Sequence, residues 1–146
     1  GLVVAGDQLI SGKVVMSSRA GLKSTTTVDA KNVAQLLARV MTDRHCDDLT
    51  IMDVRDLSQV CDFVVVGSGT SDRQMKSVAD ELSIEGKGVG SPAFRTHIDT
   101  HCTWVVVDFV DIVVHLFEPS RRAYYDIEGL WSDAPRVEIP PNPHAA

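Results

Sequence analysis

The chain contains no apolar stretch approaching the roughly 20 residues that a membrane-spanning helix requires. Its longest runs, such as Phe63 to Val66 and Trp104 to Val107, fall far short, so no transmembrane helix is expected. There is no basic excess either: 14 Lys and Arg face 20 Asp and Glu, for a net charge of −6 and a pI near 5.2. Broad electrostatic binding to phosphate backbones needs clustered cations, so direct nucleic-acid binding is not expected and any work near nucleic acid should run through a protein surface. The three cysteines, Cys46, Cys61 and Cys102, are odd in number, form no CxxC pair and lie in or beside apolar segments. That pattern suits buried thiols in a reducing compartment.

What is present fits one ordinary domain: 146 residues, 44% hydrophobic and 23% charged. A chain of this size buries roughly two thirds of its unfolded surface, so neither disulfide nor structural metal is required. Charge is uneven. Residues 1–27 carry Lys13, Arg19 and Lys23 against Asp7, net +2, which leaves −8 on the remainder. This Gly-, Ser- and Thr-containing stretch has no sustained period and reads as a flexible segment, a tag or an extension. It lacks the amphipathic Arg-rich pattern of a targeting peptide.

From Val28 the spacing of Val33, Leu36, Leu37, Val40 and Met41 predicts a helix, with Thr27 as cap and Asp29 in its positive first turn. Strands are expected over Leu49 to Val54 and Asp62 to Gly67, the latter so continuously apolar that both faces should be covered. Ser71 should open a second helix with Met75, Val78, Ala79 and Leu82 on one stripe, ended by Gly86-Lys87-Gly88. Ala93 to Ile98 reads as a short strand. Trp104 to Asp108 and Asp111 to Phe117 read as a hairpin turning at Phe109-Val110, and Pro119 opens a last helix through Trp131. The order α-β-β-α-β-β-β-α implies an α/β (α+β) fold with a mixed sheet of about five strands flanked by helices. Residues 28–138 form the domain, and 139–146 a Pro-rich, irregular tail.

A two-residue turn would pair Asp108 with Asp111 and place Val105, Val107, Ile112 and Val114 on one face of the hairpin. Trp104, Val106, Asp108, Asp111, Val113 and His115 take the other, with Trp104 directly opposite His115. Either a helix covers this face and buries the tryptophan, or it is exposed. On the last helix Tyr124, Ile127, Leu130 and Trp131 form the inward stripe, so Tyr125, aligned with Arg121 and Glu128, should be exposed. Exposed Tyr and Trp are frequent anchors of protein interfaces.

The loop Gly67-Ser68-Gly69-Thr70-Ser71 could present amides to a phosphate, and with paired carboxylates would suit a metal-dependent nucleotidyltransferase. It lacks a P-loop lysine, however, and Asp108 and Asp111 flank a turn instead of sharing a strand face. A tight turn with Ser71 as N-cap is the simpler reading. His97, His101 and Cys102 are poorly spaced for a metal.

Taken together, Asp53-Val54-Arg55-Asp56-Leu57-Ser58, Asp62-Phe63-Val64-Val65-Val66-Gly67-Ser68-Gly69-Thr70-Ser71-Asp72-Arg73-Gln74, Trp104-Val105-Val106-Val107-Asp108, Asp111-Ile112-Val113-Val114-His115 and Tyr124-Tyr125-Asp126-Ile127-Glu128-Gly129-Leu130-Trp131 resemble the ribosomal silencing factor (RsfS, Iojap) family over about residues 28–138. The resemblance implies a nucleotidyltransferase-like fold without transferase chemistry and without a cofactor. It further implies binding to the large-subunit ribosomal protein L-fourteen, a steric block to subunit joining that represses translation under nutrient limitation, and homodimer formation. Trp104 and Tyr125 match positions facing that partner, with His115, Arg121, Glu128 and Leu130 as neighbours. A large-subunit assembly factor would use the same surface. Bacterial cytoplasm is the expected setting, an organelle the alternative. Two departures stand out: Val110 occupies a turn position where the family usually has Gly, and residues 1–27 have no assignable counterpart.

Overall fold

The computed structural model describes residues 29–141. The 1–27 segment, the Thr27 cap and the last residues of the Pro-rich tail lie outside that range. Helix α1, Ala30–Asp43, buries Val33, Ala34, Leu37, Ala38 and Met41, and its N-cap is Asp29, whose carboxylate accepts from the Lys31 amide at 3.1 Å. Strands β1, Asp47–Asp53, and β2, Phe63–Ser68, follow, and every residue of β2 is buried, as its unbroken apolar run predicts. Helix α2, Asp72–Gly88, carries the expected stripe of Met75, Val78, Ala79 and Leu82. Then come β3, Arg95–Ile98, β4, Trp104–Asp108, β5, Ile112–Phe117, helix α3, Pro119–Tyr125, a single turn α4, Ile127–Leu130, and β6, Arg136–Val137.

The strands form one mixed sheet in the order β3-β4-β5-β2-β1-β6. Only β2 and β5 run parallel; the other neighbours are antiparallel. A sixth strand therefore joins the expected set. With two residues, β6 is too short to leave any period in the sequence.

Side-chain alternation divides the core into two layers. Val65, Val105, Val107, Ile112, Val114 and Leu116 face α1 and α2, forming the larger cluster. Val64, Val66, Trp104, Val106, Val113 and Phe117 face the opposite way and meet Ile127, Ala134 and the flank of Trp131 from the C-terminal segment. These are the faces expected for the hairpin, but the register differs. Asp108 pairs with Val113, so Trp104 lies opposite Phe117, and His115 opposite Val106. The slip is two residues, an even number, and so preserves both faces.

The cause is the turn. The Asp111 amide donates to the Phe109 carbonyl at 3.0 Å around Val110, whose φ is 77°, a tight three-residue turn that is strained for a β-branched side chain. Asp108 holds it, one carboxylate oxygen accepting from the Val110 amide at 2.8 Å.

The last helix is also different from expectation. It breaks at Asp126, in the left-handed region at φ 48°, and the predicted inward stripe does not form. Ile127 is buried and Trp131 half-buried, but Tyr124 and Leu130 are exposed.

Candidate functional site

The site is built at the end of the β4–β5 hairpin. Asp99, in the loop before β4, accepts from the amides of Thr103 and Trp104 at 2.6 and 2.9 Å and from the Thr103 hydroxyl at 2.6 Å. Three donors on one carboxylate fix the point where Trp104 enters the strand. The indole then lies on Phe117, with ring centroids 4.9 Å apart, and its Nε1 donates to His115 Nδ1 at 3.1 Å. The imidazole is buried, and loss of hydration pulls its pKa from 6.5 down to about 3. His115 is therefore neutral near pH 7 and accepts through Nδ1, which places its proton on Nε2.

Helix α3 supplies the outer layer. Glu118 caps it, accepting from the Ser120 and Arg121 amides at 3.1 and 3.3 Å, with Pro119 at the first position. The Ser120 hydroxyl donates to the same carboxylate, and chiefly that hydrogen bond, with the two amides adding to it, holds the Glu118 carboxyl below its ordinary pKa. The helix brings the Tyr125 ring to 4.6 Å from Trp104 and stands Tyr124 edge-on against Tyr125 at 5.0 Å. Exposure rises along this stack, from Trp104 at 6% through Tyr125 at 37% to Tyr124 at 73%.

Three of the residues expected at the docking surface, Trp104, His115 and Tyr125, come together here, the indole contacting both the imidazole and the phenol ring. One expectation is revised. Trp104 is not an exposed contact in this chain; Phe117, Tyr125 and His115 enclose it. Tyr124, expected in the core, is the most exposed ring of the group. Arg121 lies over the Tyr124 ring at 5.9 Å, Leu130 is 56% exposed on α4, and Glu128 is engaged with Arg122 through a two-pronged ion pair. Phe117, Arg122 and Asp99 were not anticipated. Gly129, unfavourable inside a helix, was the available signal that a continuous helix to Trp131 would fail: a side chain there would strike the Asp126 carboxylate.

The Gly67-to-Ser71 loop is explained by packing and capping. A Cβ on Gly67 would lie 2.8 Å from Met41 Cε, and one on Gly69 would collide with Met75. The Gly69 amide donates to the Phe117 carbonyl at 2.7 Å, Ser71 accepts from the Gln74 amide at 3.0 Å, and Gln74 in turn accepts from the Thr70 amide at 3.0 Å. These amides point at protein acceptors. Among the described residues no group of three or more His, Cys, Asp or Glu gathers in a metal-binding arrangement, and no helix is long and apolar enough to cross a membrane.

Comparison with known proteins gives a consistent picture. A family model described as "Ribosomal silencing factor during starvation" matches residues 27–146. The ribosomal silencing factor RsfS of Bacillus subtilis is 30% identical over 112 residues, which cover 77% of this chain and 95% of that protein. The mitochondrial Iojap-related protein of Arabidopsis thaliana is 24% identical over 138 residues, covering 88% of this chain and 71% of its relative. A crystal structure of a Chromobacterium violaceum protein superposes with a TM-score of 0.68 at 30% identity, covering 72% of this chain and 88% of that one.

Proposed function

The chain belongs to the ribosomal silencing factor family, and on that premise we propose that it binds the large ribosomal subunit through ribosomal protein L-fourteen and keeps the small subunit from joining. The observation that carries this reading is the exposed pair of Tyr124 and Tyr125, the latter lying against the buried Trp104–Phe117 stack, with Leu130 also exposed on the adjoining turn. Aromatic rings on a fixed base give contact area at little cost in conformational entropy. Arg121 and Glu128 flank the rings, while Trp104 and His115 support them from behind. Homodimer formation, repression under nutrient limitation and a bacterial cytoplasmic setting complete the proposal.

Binding is favoured over nucleotidyl transfer on two grounds. One oxygen of Asp108 holds the Val110 amide in the hairpin turn, and the Gly69 and Thr70 amides are taken up by Phe117 and Gln74. No cofactor enters the reading.

Co-sedimentation with purified large subunits tests the surface. The Tyr124→Glu, Tyr125→Glu double variant should keep its circular dichroism spectrum and lose binding. Undiminished binding by that folded variant would sink the contact assignment. Wild-type protein found on joined ribosomes, with no drop in joining, would sink the steric mechanism.

A further inference from the structure

Helix α3 is seven residues long and none of them is buried. Isolated helices below about 12 residues are marginal in water, so its position depends on what fastens it. The Glu118 amide, donating to the Thr103 carbonyl at 2.8 Å, ties its start, the Tyr125 ring is a second fastening, and Arg122 is a third. The guanidinium turns inward, 12% exposed, and its Nε and Nη2 reach the two Glu128 carboxylate oxygens at 3.3 and 2.8 Å. Its remaining arm, Nη1, donates to Ser68 Oγ at 2.9 Å. Ser68 is the buried last residue of β2. One planar group thus joins α3, α4 and the sheet across the left-handed elbow at Asp126.

The adjacent residue shows the contrast. Arg121 lies over Tyr124 at the surface, whereas the Arg122 side chain turns to Glu128 and Ser68. We infer that Arg122 is a positioning residue for the docking surface: it fixes α3 against α4 and β2 so that Tyr124, Tyr125 and Leu130 form a pre-arranged contact face. This rests on the reading that those residues dock. A pre-formed face avoids the ordering cost of assembling it on binding. A lysine ammonium also carries three N–H donors, but all on one nitrogen, so it cannot reproduce three bonds made from three separate nitrogens in a planar fork.

The test measures equilibrium binding of the full chain to purified large subunits, with a thermal melt of each variant. Arg122→Lys should bind roughly fivefold or more weakly while melting near wild type. Hydrogen exchange at the Tyr124 and Tyr125 amides of Arg122→Lys should be faster than in wild type, while the β4–β5 ladder stays protected. Wild-type binding by Arg122→Lys and Arg122→Ala, with Tyr125→Glu defective, overturns the positioning role and leaves the docking surface standing. Wild-type binding by Tyr125→Glu as well removes the surface itself. Unchanged exchange at those two amides in Arg122→Lys also overturns the inference.

Discussion

The indole Nε1 of Trp104 donates to Nδ1 of His115 at 3.1 Å, although each faces a different cross-strand partner, Phe117 and Val106 respectively. The bond runs diagonally across the β4–β5 ladder. Each polar group satisfies the other inside an otherwise apolar layer, and this permits a histidine and a tryptophan beneath the proposed docking surface.

Trp104 should therefore behave as a core residue when substituted. Trp104→Phe retains the ring but leaves the buried His115 acceptor unmatched, at a cost of ~1–3 kcal/mol. Trp104→Glu should not fold stably. Tyr124→Glu, at an exposed position, should stay within about 0.5 kcal/mol of wild type. Urea titration followed by far-ultraviolet circular dichroism separates the three, and a wild-type midpoint for Trp104→Phe would contradict the pairing.

Acid should expose the His115 contribution. Its folded pKa of about 3 lies below its unfolded value of 6.5, so the unfolded chain takes up the proton first. Stability is fully present above 6.5 and declines as pH falls toward 3, by up to ~1.4 kcal/mol per pH unit. His115→Gln, which keeps an acceptor for the indole, should flatten the slope between pH 6 and about 5, above the range where carboxylates dominate. An unchanged slope would mean His115 is hydrated in the folded state.

Two glycines near the end of α2 should respond oppositely. A Cβ on Gly86 would lie 2.5 Å from Phe109 Cε1 and 2.6 Å from the Ser91 carbonyl oxygen, whereas at Gly88 nothing lies within 4 Å. Gly86→Ala should destabilise by ~1–3 kcal/mol because the backbone must move. Gly88→Ala should stabilise by up to ~1 kcal/mol through helix propensity. Melting temperatures of the two single variants decide it.

Asp99→Ala strips acceptors from the Thr103 and Trp104 amides and the Thr103 hydroxyl. A loss of about 1–3 kcal/mol is expected, with faster hydrogen exchange at the Trp104 amide. If exchange there is unchanged, the loop is held by other contacts.

The parts of the fold legible in the sequence are those with a clean period. The α2 stripe at Met75, Val78, Ala79 and Leu82, the doubly covered β2 and the two faces of the hairpin follow from local patterns of 3.6 and 2 residues. The α3–α4 break was masked because Tyr124, Ile127 and Leu130 mimic a helical stripe, and Asp126 tolerates positive φ better than most residues. For the site, the helical period sets Tyr125 off the core stripe and only the family resemblance sets it with Trp104; Arg122 leaves no such signal, since its contacts come from Ser68 and Glu128, one distant in sequence and one beyond the break.

By itself the sequence determined which residues face which side of the sheet, because alternation along a strand is a local property that even a two-residue register slip leaves intact. Whether Trp104 would be exposed or enclosed was decided only by the tertiary structure. That outcome depends on where a separate short helix sets down Tyr125, and it does so through an elbow at Asp126 and a guanidinium reaching back to β2. Periodicity carries no information about such contacts between segments, which arise only when the elements pack.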